Sequence, residues 1–173
     1  MDVSLYALTG PRGAGKTTFC RHLIARARQA GWDVAGVTSP AVIEDGERVG
    51  FDAEDIRSGE RHGLGRAQPQ PGFSIRLGRW FISPAALAWA NQIFARCCPC
   101  DLLIVDEIGP LELVRGEGWT SALSALRAGV YRAAIVVVRP ELLEEAHAAL
   151  PIAACFDVRQ RADQAQLIAL CCR

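Results

Sequence analysis

The sequence predicts an α/β protein with a mainly parallel sheet covered by helices on both faces. Three observations predict it. Apolar strand-like runs alternate with helical segments along the chain, the order that a parallel sheet requires. Asp101-Leu-Leu-Ile-Val-Asp106 is a near-continuous apolar run ending in an acid, as a central parallel strand would be. Between a first strand and a first helix stands Gly10-Pro-Arg-Gly-Ala-Gly-Lys-Thr17, a G-x-x-x-x-G-K-T phosphate-binding loop in the strand–loop–helix context the motif needs.

The elements follow in order. Val3–Thr9 reads as a buried strand, and Thr18–Ala30 as a helix with Phe19, Leu23, Ile24 and Ala27 on one face. Gly31 suits a helix C-cap, and Trp32–Thr38 reads as a second strand. Ala41–Phe51 reads as a β-hairpin, because Asp45-Gly46 is a turn dipeptide flanked by apolar residues. Phe51–Ile56 continues extended, and Arg57–Glu60 is a turn. Residues 62–73, rich in Gly, Pro and Gln, are expected to be a loop, and Ser74–Gly78 a short strand. Ser83-Pro84 pairs an N-cap with a first-position proline, opening a helix that turns Leu87, Ala90, Ile93 and Phe94 to the core. After the 101–106 strand come a helix over about 118–128, a strand at 133–138, a helix at 140–149, a strand at 155–158 and a helix from Asp163. The whole chain, 1–173, is read as a single P-loop NTPase domain with a β-rich insertion over about 39–80.

Composition narrows the function. With 173 residues, half of them apolar, the chain is long enough for one sizeable core. Nineteen basic and nineteen acidic residues cancel, which argues against a dedicated nucleic-acid surface. Met1-Asp2-Val3 has no basic leader region, and no apolar stretch reaches the ~20 residues of a membrane-spanning helix. A cytoplasmic location is expected. Of the seven cysteines, Cys97 and Cys100 form a C-x-x-C spacing, with Cys171-Cys172 at the far end. They read as a metal or redox site on one view, and as reduced thiols behaving as small apolar residues on the other. The second is favoured, since no second C-x-x-C or His pair exists.

The chemistry-bearing residues form two groups. Lys16 is the only lysine; the other eighteen basic residues are arginines. The loop Gly10, Pro11, Arg12, Gly13, Ala14, Gly15, Lys16, Thr17 and Thr18 would wrap the phosphates with backbone N–H groups, aided by the helix N-terminus. Lys16 would reach the β- and γ-phosphates and Thr17 would ligate Mg²⁺. The second group ends the 101–106 strand. Four apolar residues followed by Asp106 form a Walker B pattern, with Asp106 holding the Mg²⁺. Glu107, beside it, is placed to polarise an attacking water; the alternative is a strand-end acid capping a helix. A cation for the γ-phosphate is sought among Arg76, Arg79 and Arg139, with Arg12 lining the phosphates. Trp32, Trp80, Trp89 and Trp119 read as packing residues, although Trp80 adjoins Arg79. His22, His62 and His147 share no ligand spacing, and Glu141, Glu144 and Glu145 fit a helix start.

These residues resemble the THEP1-type nucleoside-triphosphatase family, known in animals as cancer-related NTPase. The resemblance rests on Gly10–Thr18, on Gly46–Asp52 (G-E-R-V-G-F-D), on Gly78-Arg79-Trp80 and on Asp106–Leu113 (D-E-I-G-P-L-E-L). It implies a RecA-like core with a β-hairpin insertion. It also implies slow Mg²⁺-dependent hydrolysis of ATP, GTP and other triphosphates to diphosphate and phosphate. The chain departs from the family in two places. Thr38-Ser-Pro-Ala-Val-Ile-Glu44 lacks the glutamates and arginine that follow the second strand, and Val137-Val138-Arg139 replaces a Thr-Val-His.

Three functions compete: an NTP hydrolase, a small-molecule kinase in which Glu107 activates an acceptor hydroxyl, and a nucleotide-binding adaptor like the GTP-binding proteins of molybdenum-cofactor assembly. The absence of an Asn-Lys-x-Asp motif weakens the last. The hydrolase is favoured.

Overall fold

The structure, a computed structural model, describes residues 3–171. Met1 and Asp2, read above for a leader, and Cys172 of the C-terminal pair lie outside them. Among the described residues ten strands form one sheet, in the order β10-β1-β9-β8-β2-β4-β5-β7-β6, with β3 paired to β4.

The first five strands of that order are parallel. They are β1 (Ser4–Thr9), β2 (Val34–Thr38), β8 (Cys100–Ile108), β9 (Tyr131–Val138) and β10 (Ile152–Asp157). Their apolar runs split between two cores because side chains alternate across a sheet. Leu103, Val105, Ala134, Val136 and Val138 face α2 (Pro84–Phe94) and α4 (Thr120–Ala128). Leu102, Ile104, Ala133, Ile135 and Val137 face α1 (Lys16–Gln29) and α6 (Arg161–Cys171). Helices therefore cover both faces, which is why these strands read as continuous apolar runs. The predicted apolar face of α1 is the buried one: Phe19, Leu23, Ile24 and Ala27. Ser83 caps α2 as expected, accepting from the Ala86 N–H at 3.2 Å, a bond whose loss typically costs about 1 kcal/mol.

The rest of the sheet is antiparallel: β3 (Ala41–Glu44), β4 (Glu47–Asp55), β5 (Arg61–Arg66), β6 (Ile75–Leu77) and β7 (Trp80–Ile82). It joins the parallel half where Val37 and Thr38 of β2 pair with Asp55 and Glu54 of β4. The β3–β4 hairpin turns at Asp45-Gly46, both at positive φ, as predicted. The expected loop over 62–73 is corrected. Its first part, through Arg66, is strand β5. The glycines that suggested a loop serve close packing instead: a Cβ on Gly65 would lie 2.3 Å from the Phe51 ring.

Other boundaries shift. β7 and the short helix α3 (Pro110–Leu113) were not anticipated, β9 and β10 begin earlier, and a 3₁₀ turn (Pro140–Leu142) precedes α5 (Leu143–Ala149). Cys97 is buried in the core below α2, its Sγ 3.8 Å from that of Cys98. No group of three metal-ligating side chains occurs among the described residues. No helix among them is long and apolar enough to cross a membrane.

Candidate nucleotide site

The phosphate loop leaves the carboxyl end of β1 and enters α1. Gly13 and Gly15 hold positive φ of 79° and 90°, which only glycine adopts without strain. The helix begins with no side-chain cap and no acid in its first turn, an arrangement that leaves its leading N–H groups available to an anion. Lys16 is only 7% exposed, and its Nζ donates to the Gly10 carbonyl at 2.7 Å and the Pro11 carbonyl at 3.1 Å. Those bonds hold the ammonium inside the curl of the loop and leave one of its three N–H groups over.

β8 delivers the acids to the same place. Asp106 is 1% exposed, accepts the Ser39 N–H at 3.1 Å, and accepts the Thr17 hydroxyl. The Ser39 hydroxyl also donates to the Asp106 carbonyl. Burial raises the Asp106 carboxyl to about 6, with the Ser39 and Thr17 bonds pulling the other way. A buried carboxylate beside a threonine hydroxyl is a hard-oxygen donor set of the kind Mg²⁺ takes. It gains from a cation the compensation its surroundings supply only in part. The two sequence groups therefore converge.

Glu107, next along the strand, is half-buried and accepts Arg139 Nε on Oε1 at 2.6 Å. Arg139 thus sits where the sequence put it, at the end of β9, but as the partner of Glu107. Arg79 and Arg76 lie elsewhere. Arg79 is stacked 4.3 Å from the Trp80 ring centroid and donates to the Arg48 carbonyl at 2.9 Å. Arg76 lies over Phe81 on the outer strands. Neither lines the cavity, whereas Arg12 does.

Three contributors escaped the sequence analysis. Ser39 steadies Asp106, as described. Glu112 is a buried clamp: Oε2 accepts the Gly109 N–H and Oε1 the Trp119 N–H, both at 2.9 Å. It explains the Glu of the Asp106–Leu113 block as a brace that fixes the loop beyond β8. Asn91 of α2 reinforces it, donating to Gly118 and accepting from the Ser121 N–H. The third is Arg48 on β4. Its guanidinium lies 5.5 Å from the centroids of both the Phe51 and Trp80 rings. Burial depresses its pKa, Glu107 pulls it back up, and Arg12 and Arg79 lower it further, so it shares the field of the site. Its position in G-E-R-V-G-F-D was visible, but a hairpin register was needed to aim it.

One cavity of about 380 Å³ lies among the loop, the end of β8 and the antiparallel strands. Its polar lining includes Arg12, Lys16, Thr17, Arg48, Asp106, Glu107 and Arg139. Its apolar lining includes Phe51, Leu64, Trp80, Ile82, Leu111 and Trp119.

Comparison with known proteins agrees with this geometry. Residues 5–148 match a family model, NTPase_1, described as NTPase. The chain is 38% identical over 107 residues to the nucleoside-triphosphatase THEP1 of Ignicoccus hospitalis. That match covers 62% of this chain and 60% of that relative's length. Among solved structures, the solution structure of a human cancer-related nucleoside triphosphatase superposes with a TM-score of 0.68 at 24% identity. It covers 96% of this chain and 94% of its own. THEP1 from Aquifex aeolicus superposes at 0.66 and 17% identity, over 98% and 99% of the two chains. These two likenesses concern the fold, a P-loop NTPase core. With its phosphate loop and acid strand in place and the family model matching most of its length, the chain belongs to the THEP1-type nucleoside-triphosphatase family.

Proposed function

We propose that the protein is a Mg²⁺-dependent nucleoside-triphosphate phosphohydrolase that converts ATP, GTP and other triphosphates to the diphosphate and phosphate. The observation that carries this reading is the meeting of Lys16, Thr17, Asp106 and Glu107 on one cavity, from segments ninety residues apart in sequence. Gly10 to Thr18 wrap the phosphates with backbone N–H groups, and Lys16 neutralises the β- and γ-oxygens. Thr17 and Asp106 would hold the Mg²⁺, whose charge favours the crowded phosphate oxygens. Glu107 gives one carboxylate oxygen to Arg139, which fixes its orientation, and the other takes a proton from the attacking water. The water oxygen bonds to the γ-phosphorus as the bond to the bridging oxygen breaks. Arg48 and Arg139 supply the cations for the developing charge, with Arg12 at the loop rim. Base tolerance fits a chain without the guanine-selecting Asn-Lys-x-Asp motif. One domain with its β-rich insertion at 39–80 and a cytoplasmic location, where nucleoside triphosphates are held, belong to the same reading.

Glu107→Gln tests it. Calorimetry should show nucleotide affinity retained while phosphate release falls about 10²–10⁴-fold; unchanged release would remove Glu107 from the mechanism. Chelating Mg²⁺ should abolish turnover and weaken triphosphate binding, and turnover that persists in chelator would dismiss Thr17 and Asp106 as metal ligands.

A further inference from the structure

Cys97, Cys98 and Cys100 gather at the amino end of β8, the end opposite Asp106 and Glu107. None of them lines the nucleotide cavity. A buried free thiol acts as a small apolar residue, and Cys97 fits that part. It is 2% exposed, and its Sγ donates to the Phe94 carbonyl at 3.2 Å. Cys98 and Cys100 do not fit it, because both are only half-buried. The Sγ of Cys98 lies 3.8 Å from that of Cys97, and Cys98 is also hydrogen-bonded to the Cys100 thiol. A metal site needs its sulfurs aimed at one centre, and no group of three among the described residues is so arranged.

Cys98 has the character of a nucleophile. Hydrogen bonds from Cys100 and then Cys97 hold its thiol well below the usual cysteine range, against burial, and the Arg57 guanidinium adds to them. Arg57 is anchored beside the segment, its Nη2 donating to the Pro99 carbonyl at 3.2 Å. Contact with Cys98, helped by burial, pushes Cys97 and Cys100 the other way. Burial raises the nearby Tyr131 hydroxyl to about 12, and Asp33 and Asp101 are taken up by Arg57 and Arg132. The segment therefore presents one thiolate beside two protonated thiols, the arrangement that stepwise thiol–disulfide exchange needs. Cys155 differs: the residue is exposed, yet desolvation of its thiol and the acids Asp157 and Asp163 raise it.

We propose that Cys98 and Cys100 form a redox-active dithiol that reacts with low-molecular-weight disulfides of the glutathione class. The site is independent of the triphosphate chemistry. The Cys98 thiolate attacks one sulfur of the small disulfide, and a bond forms between that sulfur and Cys98 Sγ. The original S–S bond breaks, and its electron pair leaves on the other sulfur as a thiolate. Cys100 then passes its proton to the released thiolate and attacks Cys98 Sγ. This closes a Cys98–Cys100 bridge and expels the second small thiolate. The dithiol is oxidised by two electrons, and the small disulfide is reduced to one thiol and one thiolate. Cys97, in the core, stays reduced.

The test incubates the reduced full chain with glutathione disulfide, traps the remaining thiols with iodoacetamide and reads the result by peptide mass spectrometry. The tryptic peptide 97–115, which holds all three cysteines, should lose two alkylation sites and keep one. Cys100→Ser should stop at a mixed disulfide with glutathione on Cys98, whereas Cys97→Ser should still bridge. A pulse of iodoacetamide on the reduced wild-type protein reads the thiolate directly. Between about pH 7.5 and about pH 5.5, Cys155 should slow about a hundredfold while Cys98 changes less than about threefold. Parallel slowing of the two would remove the thiolate from Cys98. A bridge that survives Cys100→Ser would overturn the pairing. A peptide 97–115 still fully alkylated after glutathione disulfide would overturn the dithiol role altogether.

Discussion

The parallel and antiparallel halves of the sheet solve different problems. In the parallel half, the strand middles are buried on both faces, and the buried Asp106 and its neighbour Glu107 stand near the carboxyl end of β8, beside Lys16 of α1. The antiparallel half has no such depth. It is built from glycines, aromatic rings and arginines, with Arg48 against Phe51 and Trp80 and Arg66 against Phe73. On the proposed reading the first half supplies buried charge for phosphate, and the second supplies a wall and a cation. Affinity should reside in one and reactivity in the other.

Substitutions can break or sharpen that division. The largest effect should come from Lys16→Ala, lowering turnover on the order of 10³-fold and weakening triphosphate binding in calorimetry. Normal binding by this variant would move phosphate affinity out of the parallel half. Arg48→Ala comes next: kcat should fall about 10²-fold while the nucleotide Kd changes little. Equal losses in both would make Arg48 a ground-state contact and erase the distinction. Glu112→Gln deprives one of two buried backbone N–H groups of its acceptor, at a cost of about 1–3 kcal/mol in chemical denaturation. A neutral outcome would mean that the loop beyond β8 is held by Asn91 alone. Gly65→Ala presses a methyl group on the Phe51 ring and should cost about 1 kcal/mol. Its effect should appear as faster hydrogen exchange in β4, β5 and β7, with β8 and β9 unchanged; uniform loosening would show the two halves to be one cooperative unit.

The same division explains what could be read from the residues alone. Leu102 to Val105 and Ala133 to Val138 announce buried parallel strands because both faces are apolar, and the loop at 10–17 has few other uses. Residues 62–66 were misread because Gly63 and Gly65 look like loop residues until Arg66 and Phe73 are known to crowd the first and the Phe51 ring the second. Arg48 was passed over for a related reason: eighteen arginines look alike in sequence, and only the pairing of β3 with β4 selects one. Arg79 drew attention by its Gly-rich stretch before a helix, but the Trp80 ring holds it and it does not line the cavity. Ser39 and Glu112 act through backbone bonds to residues distant in sequence or in an unanticipated turn, which no local pattern records.

The solitary amine held by the carbonyls of Gly10 and Pro11 has a practical consequence. Apart from the chain terminus, an amine-selective reagent has one side chain to modify, and it lies in the phosphate cradle. Labelling stoichiometry therefore becomes a direct occupancy gauge: a bound ligand shields that nitrogen, and peptide mass spectrometry can count the protected fraction without any radioactive or fluorescent nucleotide.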